Sequence, residues 1–159
     1  MEEIIKKLTE DSKTIATMES CTGGAVANAI TNVEGASLVF KFGVVTYSNE
    51  YKIKMGVDAD VIDKYTVYSM ETAVEMSKNI AEFANADFGV GITGKINRED
   101  PNNTVGDNSK IYVSIFEREK NNFSNFEIVA NSNLDREGNK RVVVNRITEK
   151  LSDLLGIEF

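Results

Sequence analysis

The sequence predicts an α/β fold, a mixed and mostly parallel sheet between helical layers. Three observations predict it. Apolar patterns of helical and strand period alternate along the first 94 residues. Two strand-like runs lie close together near the end, in the manner of a hairpin. No linker, repeat or low-complexity segment interrupts the 159 residues, so they read as one domain, 1–159. Alternation early and a hairpin late imply parallel strands joined by crossovers, with antiparallel strands added.

The elements follow in order. Ile4, Ile5 and Leu8 have helical spacing, which predicts a helix over 1–10. Thr14–Met18 reads as a short buried strand, and Thr22–Thr31 as a helix whose small residues permit close packing. Val33–Ala36 is a turn, and Ser37–Tyr47 is a β-rich run. A short helix is expected over Asn49–Met55, then a Gly-Val-Asp loop, then a longer helix from Ser69 to about Ala84. Asp87–Thr93 is a buried strand ending at Gly94. Residues 95–109 hold the chain's one proline and many Asn and Asp residues, so they read as a long loop. Lys110–Phe116 and Phe126–Ala130 are strands with Asn121–Asn125 connecting them, and Arg136–Leu155 is the last helix. In such sheets ligands bind beyond the carboxyl ends of the strands. Three strand-following loops are therefore candidates: 18–24, 46–52 and 93–108.

Composition removes several chemistries. There is no histidine, which excludes a Ser-His-Asp triad, a Cys-His pair and a His-ligated metal. No metal and no other cofactor is expected. The one cysteine, Cys21, excludes intrachain disulfides and thiolate clusters and fits a reducing compartment. A net charge of −7 argues against nonspecific nucleic-acid binding, while leaving room for a local anion pocket. No apolar run reaches membrane-spanning length, and the expected location is cytoplasmic.

The most informative stretch is Met18-Glu19-Ser20-Cys21-Thr22-Gly23-Gly24. It places a hydroxyl and a thiol at a strand-to-helix turn. The first N–H groups of a helix have no intrahelical partner, and the helix dipole favours negative charge there. Such a turn suits a nucleophile, a phosphate or an oxyanion. It equally suits a plain Ser or Thr cap with glycines for a tight turn.

With these loops in view, the sequence resembles the CinA C-terminal domain, the nicotinamide-nucleotide amidase family. The resemblance rests on Ala16–Gly24, on Gly43-Val44-Val45-Thr46-Tyr47-Ser48-Asn49-Glu50-Tyr51-Lys52, on Gly91-Ile92-Thr93-Gly94, and on Leu134-Asp135-Arg136 followed by Arg141. These matches span residues 4–155 in family order. The family's other CinA domain has no counterpart in these residues, so the expectation is a stand-alone form. The resemblance implies a three-layer α/β/α sandwich and hydrolysis of the carboxamide of nicotinamide mononucleotide, a small-molecule nucleotide substrate. It implies a serine nucleophile with a nearby tyrosine and lysine, carried here by Ser20, Tyr47 and Lys52. A homodimer is a family-level expectation.

The implied chemistry is reasonable for these residue types. Covalent catalysis divides one hard step on a poor electrophile into two. Ser20 would attack the carboxamide carbon. A desolvated, partly neutral Lys52 would take its proton, or Tyr47 would relay it. Backbone N–H groups near Thr22, Gly23 and Gly24 would hold either the oxyanion or the phosphate. Gly94 stands at the next strand end. Arg136 and Arg141 are candidate phosphate partners, since guanidinium suits bidentate contacts, and Arg146 is an equal alternative.

One segment departs from the family pattern. A glycine-rich loop ordinarily follows the third motif, whereas here Gly94 leads into Lys95-Ile96-Asn97-Arg98-Glu99-Asp100-Pro101. Asp100 stands where threonine is expected. A carboxylate facing the pocket would oppose a phosphate, with Lys95 and Arg98 as offsets or as readers of another anion. If the loop lines the pocket, the mononucleotide is expected to be a poor substrate. Two function classes stay open: an active amidohydrolase, and a catalytically degenerate relative that binds a nucleotide or a partner.

Overall fold

The computed structural model describes residues 1–158. The elements are α1 (Glu2–Glu10), β1 (Ile15–Glu19), α2 (Ala25–Thr31), a 3-10 turn (Ala36–Leu38), β2 (Phe40–Val45), α3 (Asn49–Lys54), α4 (Ala59–Tyr65), α5 (Met70–Phe83), β3 (Phe88–Gly94), β4 (Lys110–Glu117), β5 (Asn122–Val129) and α6 (Arg136–Leu154). The five strands form one sheet in the order β2-β1-β3-β4-β5. β1 pairs in parallel with both β2 and β3, while β3–β4 and β4–β5 are antiparallel. Four strands thus run one way and only β4 runs against them, which gives the mixed, mostly parallel sheet that the alternation predicts.

Both faces of the sheet are covered. One core packs Ile4 and Leu8 of α1, Val26 and Ile30 of α2 and Val143, Ile147 and Leu151 of α6 against Val90, Ile92, Ile111 and Val113. The other packs Met76 and Ile80 of α5 and Ile62 of α4 against Ala16 and Met18. These apolar positions recur at helical or alternating spacing, and their burial is the main favourable term in folding.

This topology creates the site. β1 leads to β2 through α2 on one face, and β2 leads to β3 through α3, α4 and α5, with α5 on the other. The chain therefore leaves β1 on one side and returns on its opposite side. The carboxyl ends of β1 and β3 flank the gap that results, the place where open α/β sheets bind ligands.

Several element bounds differ from those read in the sequence. The run 37–47 divides: Ala36–Leu38 forms a 3-10 turn, and β2 closes at Val45. Helix α4, capped by the Asp58 side chain, forms where no element is expected. It has one short apolar face, Val61 and Ile62, too brief for periodicity to register. Strand β5 begins at Asn122, not after Asn125, with the register Glu117↔Asn122 and Phe116↔Phe123. The Asn-rich segment is strand because β5 is an edge with one open face, where polar residues are tolerated. Helix α2 starts at Ala25 because Gly23 and Gly24, with φ of 60° and 100°, hold the preceding turn in the left-handed region.

Candidate functional site

Ser20 leaves the end of β1 while still held in the sheet. Its N–H donates to Ile92 O at 3.0 Å, and the N–H of Thr46 donates to Glu19 O at 2.8 Å. The chain then turns sharply, with Gly23 N–H donating to Ser20 O at 2.9 Å. The serine is thus fixed between its two neighbouring strands and a tight turn.

Glu19 defines the next piece. Its buried carboxylate accepts from Thr22 Oγ1 at 2.6 Å and Val26 N at 2.9 Å through Oε1, and from Ala27 N at 3.0 Å through Oε2. A carboxylate of the protein itself therefore occupies the start of α2, where negative charge is favoured. This corrects one sequence expectation. The first N–H groups of that helix are committed internally, so they hold neither an oxyanion nor a phosphate. Thr22 is spent on Glu19. Thr22, Gly23 and Gly24 shape the turn and are absent from the cleft wall described below. Among the described residues, the N–H groups of Cys21 and Thr22 reach no backbone acceptor.

Lys52 comes from α3, a helix of 6 residues whose start is capped by Ser48 Oγ accepting from Tyr51 N. The lysine is only 2% exposed. Its Nζ lies 3.0 Å from Ser20 Oγ and 2.7 Å from Thr46 O. Among the described residues no carboxylate comes within ion-pair distance of it. Burial lowers its pKa to about 8, only partly opposed by the negative charge of Asp100. A desolvated amine in contact with a serine hydroxyl is equipped to take that hydroxyl's proton.

The neighbouring thiol differs. Cys21 is buried, and burial pushes its pKa up to about 12. A thiol held protonated is a poor nucleophile, and the side chain that Lys52 Nζ contacts is the Ser20 hydroxyl.

A cleft of about 690 Å³ opens above Ser20. Its wall includes Ser20, Cys21, Tyr47, Tyr68, Gly94, Lys95, Arg98, Asp100 and Arg136, so the three strand-following loops expected to carry function do meet there. Tyr47 stands at the rim, 66% exposed, and makes no hydrogen bond to Ser20. Of the two residues expected near the serine, Lys52 therefore touches it and Tyr47 does not. Gly94 lets β3 approach β4, since a Cβ there would lie 2.5 Å from Lys110 O. Arg136 lines the cleft and donates to Ile96 O at 3.3 Å. Arg141, by contrast, is 73% exposed and pairs with Glu137 at 3.4 Å, away from the cleft. The family-like spacing selected it, but its place on α6 turns it to solvent. Arg146 pairs with Glu149 and lies over Phe126, also outside the cleft wall.

The departing loop forms the other wall. Asp100 accepts from the Tyr68 hydroxyl, from Asn103 Nδ2 at 3.1 Å and from Asn102 N at 2.9 Å. Asn49 Nδ2 on α3 donates to Asn103 Oδ1 at 3.1 Å, tying the loop to the helix that carries Lys52. Lys95 is buried, donates to Asn108 Oδ1 at 3.1 Å and places its Nζ 4.9 Å from the Tyr68 ring centre. Sequence reasoning missed Tyr68. Its one signal is its place immediately before Ser69, the cap of α5, and nothing local shows that this helix start faces the serine.

Comparison with known proteins agrees with this architecture. The family model described as the CinA C-terminal domain matches residues 1–155. The chain belongs to that family. A CinA-like protein of Kosmotoga olearia is 47% identical over 92 residues, 57% of this chain and 22% of that protein. The chain thus matches less than a quarter of the length of this curated relative. Among solved structures, the competence/damage-inducible protein of Agrobacterium tumefaciens superposes with a TM-score of 0.81 at 28% identity, covering 96% of this chain and 94% of that one. A CinA-superfamily protein of Klebsiella pneumoniae shares the fold with a TM-score of 0.86 at 24% identity, covering 98% and 94%. For this CinA-family chain, no helix among the described residues is long and apolar enough to cross a membrane.

Proposed function

We propose that this CinA-family domain hydrolyses a carboxamide through Ser20 and Lys52, and that its substrate is nicotinamide mononucleotide. The observation that carries the reading is the contact of a buried, carboxylate-free lysine with the serine hydroxyl, 3.0 Å apart at the base of the cleft.

In this reading neutral Lys52 takes the Ser20 proton as Oγ attacks the carboxamide carbon. The carbonyl oxygen becomes an oxyanion beside the N–H group of Cys21, the residue next to Ser20 in the cleft wall. The C–N bond then breaks, and the Lys52 ammonium returns the proton to the departing amine, which leaves as ammonia. Water, deprotonated by Lys52, attacks the acyl-serine, releasing nicotinic acid mononucleotide and restoring both side chains. Arg136 is the cleft cation assigned to the phosphate.

The test is ammonia release from nicotinamide mononucleotide. Turnover should rise with pH through about 8 and level off, following loss of the Lys52 proton. No ammonia at any pH would overturn the hydrolytic reading and favour a binding module.

A further inference from the structure

The cleft is not uniformly basic. Lys95, Arg98 and Arg136 supply positive charge to its wall, and Glu99 and Asp100 supply negative charge. A purely anionic ligand gains nothing from the two carboxylates. A ligand carrying both signs does, and nicotinamide mononucleotide is one: its phosphate is negative and its ring nitrogen, bonded to ribose, is formally positive.

Asp100 is the more firmly placed of the two acids. Three donors hold it, from Tyr68, Asn102 and Asn103. The Tyr68 hydrogen bond keeps its carboxyl below the usual carboxylate range, so it is charged at neutral pH. Among the described residues no cation reaches it at ion-pair distance. Lys95, whose charge acts on Asp100, is turned to Asn108 and to the Tyr68 ring. Asp100 and Tyr68 line the same cleft as Ser20, and the charge of Asp100 is felt at Lys52.

Building on the substrate reading above, we propose that Asp100, held against Tyr68, reads the positive charge of the substrate's N-substituted pyridinium ring and selects it over neutral analogues. The carboxylate that would oppose a phosphate attracts a cationic ring. The departure of this loop from the family pattern is then a specificity element, and the expectation that the mononucleotide is a poor substrate is reversed.

The test compares nicotinamide mononucleotide with its reduced form. The two share carboxamide, ribose and phosphate, but the dihydropyridine ring of the reduced form is neutral. Binding is measured by calorimetry on the Ser20→Ala protein, so that turnover does not intervene. The Ser20→Ala protein should bind the oxidised form about tenfold more tightly, as one charge contact in a partly solvated site allows. Adding Asp100→Asn should bring the two within about twofold, and adding Tyr68→Phe should give an intermediate ratio. Equal binding of both forms before Asp100 is changed overturns the proposal. So does a ratio that survives Asp100→Asn, an equal loss for both forms, which would mean contact with ribose, or failure of both to bind. Discrimination in binding without ammonia release from the unaltered protein would sink the hydrolytic reading and leave the ring subsite standing.

Discussion

The floor and the far wall of the cleft are built on opposite plans. At the floor, Ser20, Glu19 and Lys52 are buried, each anchored by backbone or by one another. The wall at 95–103 is a loop largely of polar and charged residues, mostly exposed, held by side-chain bonds to Tyr68 and Asn49. A floor with satisfied donors fixes geometry, which is what bond-making requires. A wall of side chains at a loop tip alters charge and shape at small cost to the fold. The proposed chemistry thus falls to the sheet end and the proposed recognition to the loop.

That division can be broken first at the floor. Ser20→Ala should reduce ammonia release at least about a thousandfold while circular dichroism stays unchanged, whereas Cys21→Ala should keep activity within about threefold. Loss of activity in the cysteine variant with retention in the serine variant would exchange their roles.

Lys52→Met should also cost about a thousandfold in turnover, yet it should stabilise the fold. The sign follows from burial. The lysine's folded pKa, about 8, lies below its ordinary 10.5, so at neutral pH the unfolded chain binds its proton more readily. The penalty is present in full below pH 8 and fades as pH rises toward 10.5. Denaturant unfolding at pH 7 should therefore favour the variant by up to about 3 kcal/mol, less what Ser20 and Thr46 lose as partners, and the advantage should shrink by pH 10. An advantage independent of pH would mean that packing, not charge, sets it.

Glu19→Gln tests the anchoring rather than the chemistry. It removes charge from three hydrogen bonds and turns an amide toward backbone donors, so unfolding free energy should fall by about 2 kcal/mol. Urea titration measures this, and an unchanged midpoint would mean that α2 does not depend on the carboxylate.

The wall should give the smallest effects. Arg136→Ala should raise KM for the mononucleotide about tenfold with kcat within about twofold, and Arg141→Ala should change neither. Steady-state kinetics separate the two; a KM effect at Arg141 would mean that α6 presents a different face to the substrate.

Much of this site is legible in the chain because it is local. Strand, turn and helix follow one another within residues 14–31, so apolar period and the paired glycines place Ser20 at a strand end before any contact is known. The short step from Val45 to Lys52 likewise confines the lysine to the neighbouring strand end. What local pattern leaves open is direction. Tyr47 and Lys52 have equal claims in the sequence; Tyr47 lies in the link before α3 and stands at the rim, while α3 carries Lys52 into the core. Arg136 and Arg141 are likewise equivalent until α6 packs on the sheet and leaves only the first beside the cleft.

By itself, then, the sequence determined the α/β class, the three loops that meet at the cleft and the places of Ser20 and Lys52 at neighbouring strand ends, since each rests on residues near in the chain or on hydrophobic period. The tertiary structure alone decided that Glu19 fills the start of α2, that Tyr68 holds Asp100, and that Lys52 is desolvated against Ser20. Those contacts join residues from 7 to 32 positions apart. Burial and hydrogen bonding at such separations depend on how layers pack, which no local pattern encodes.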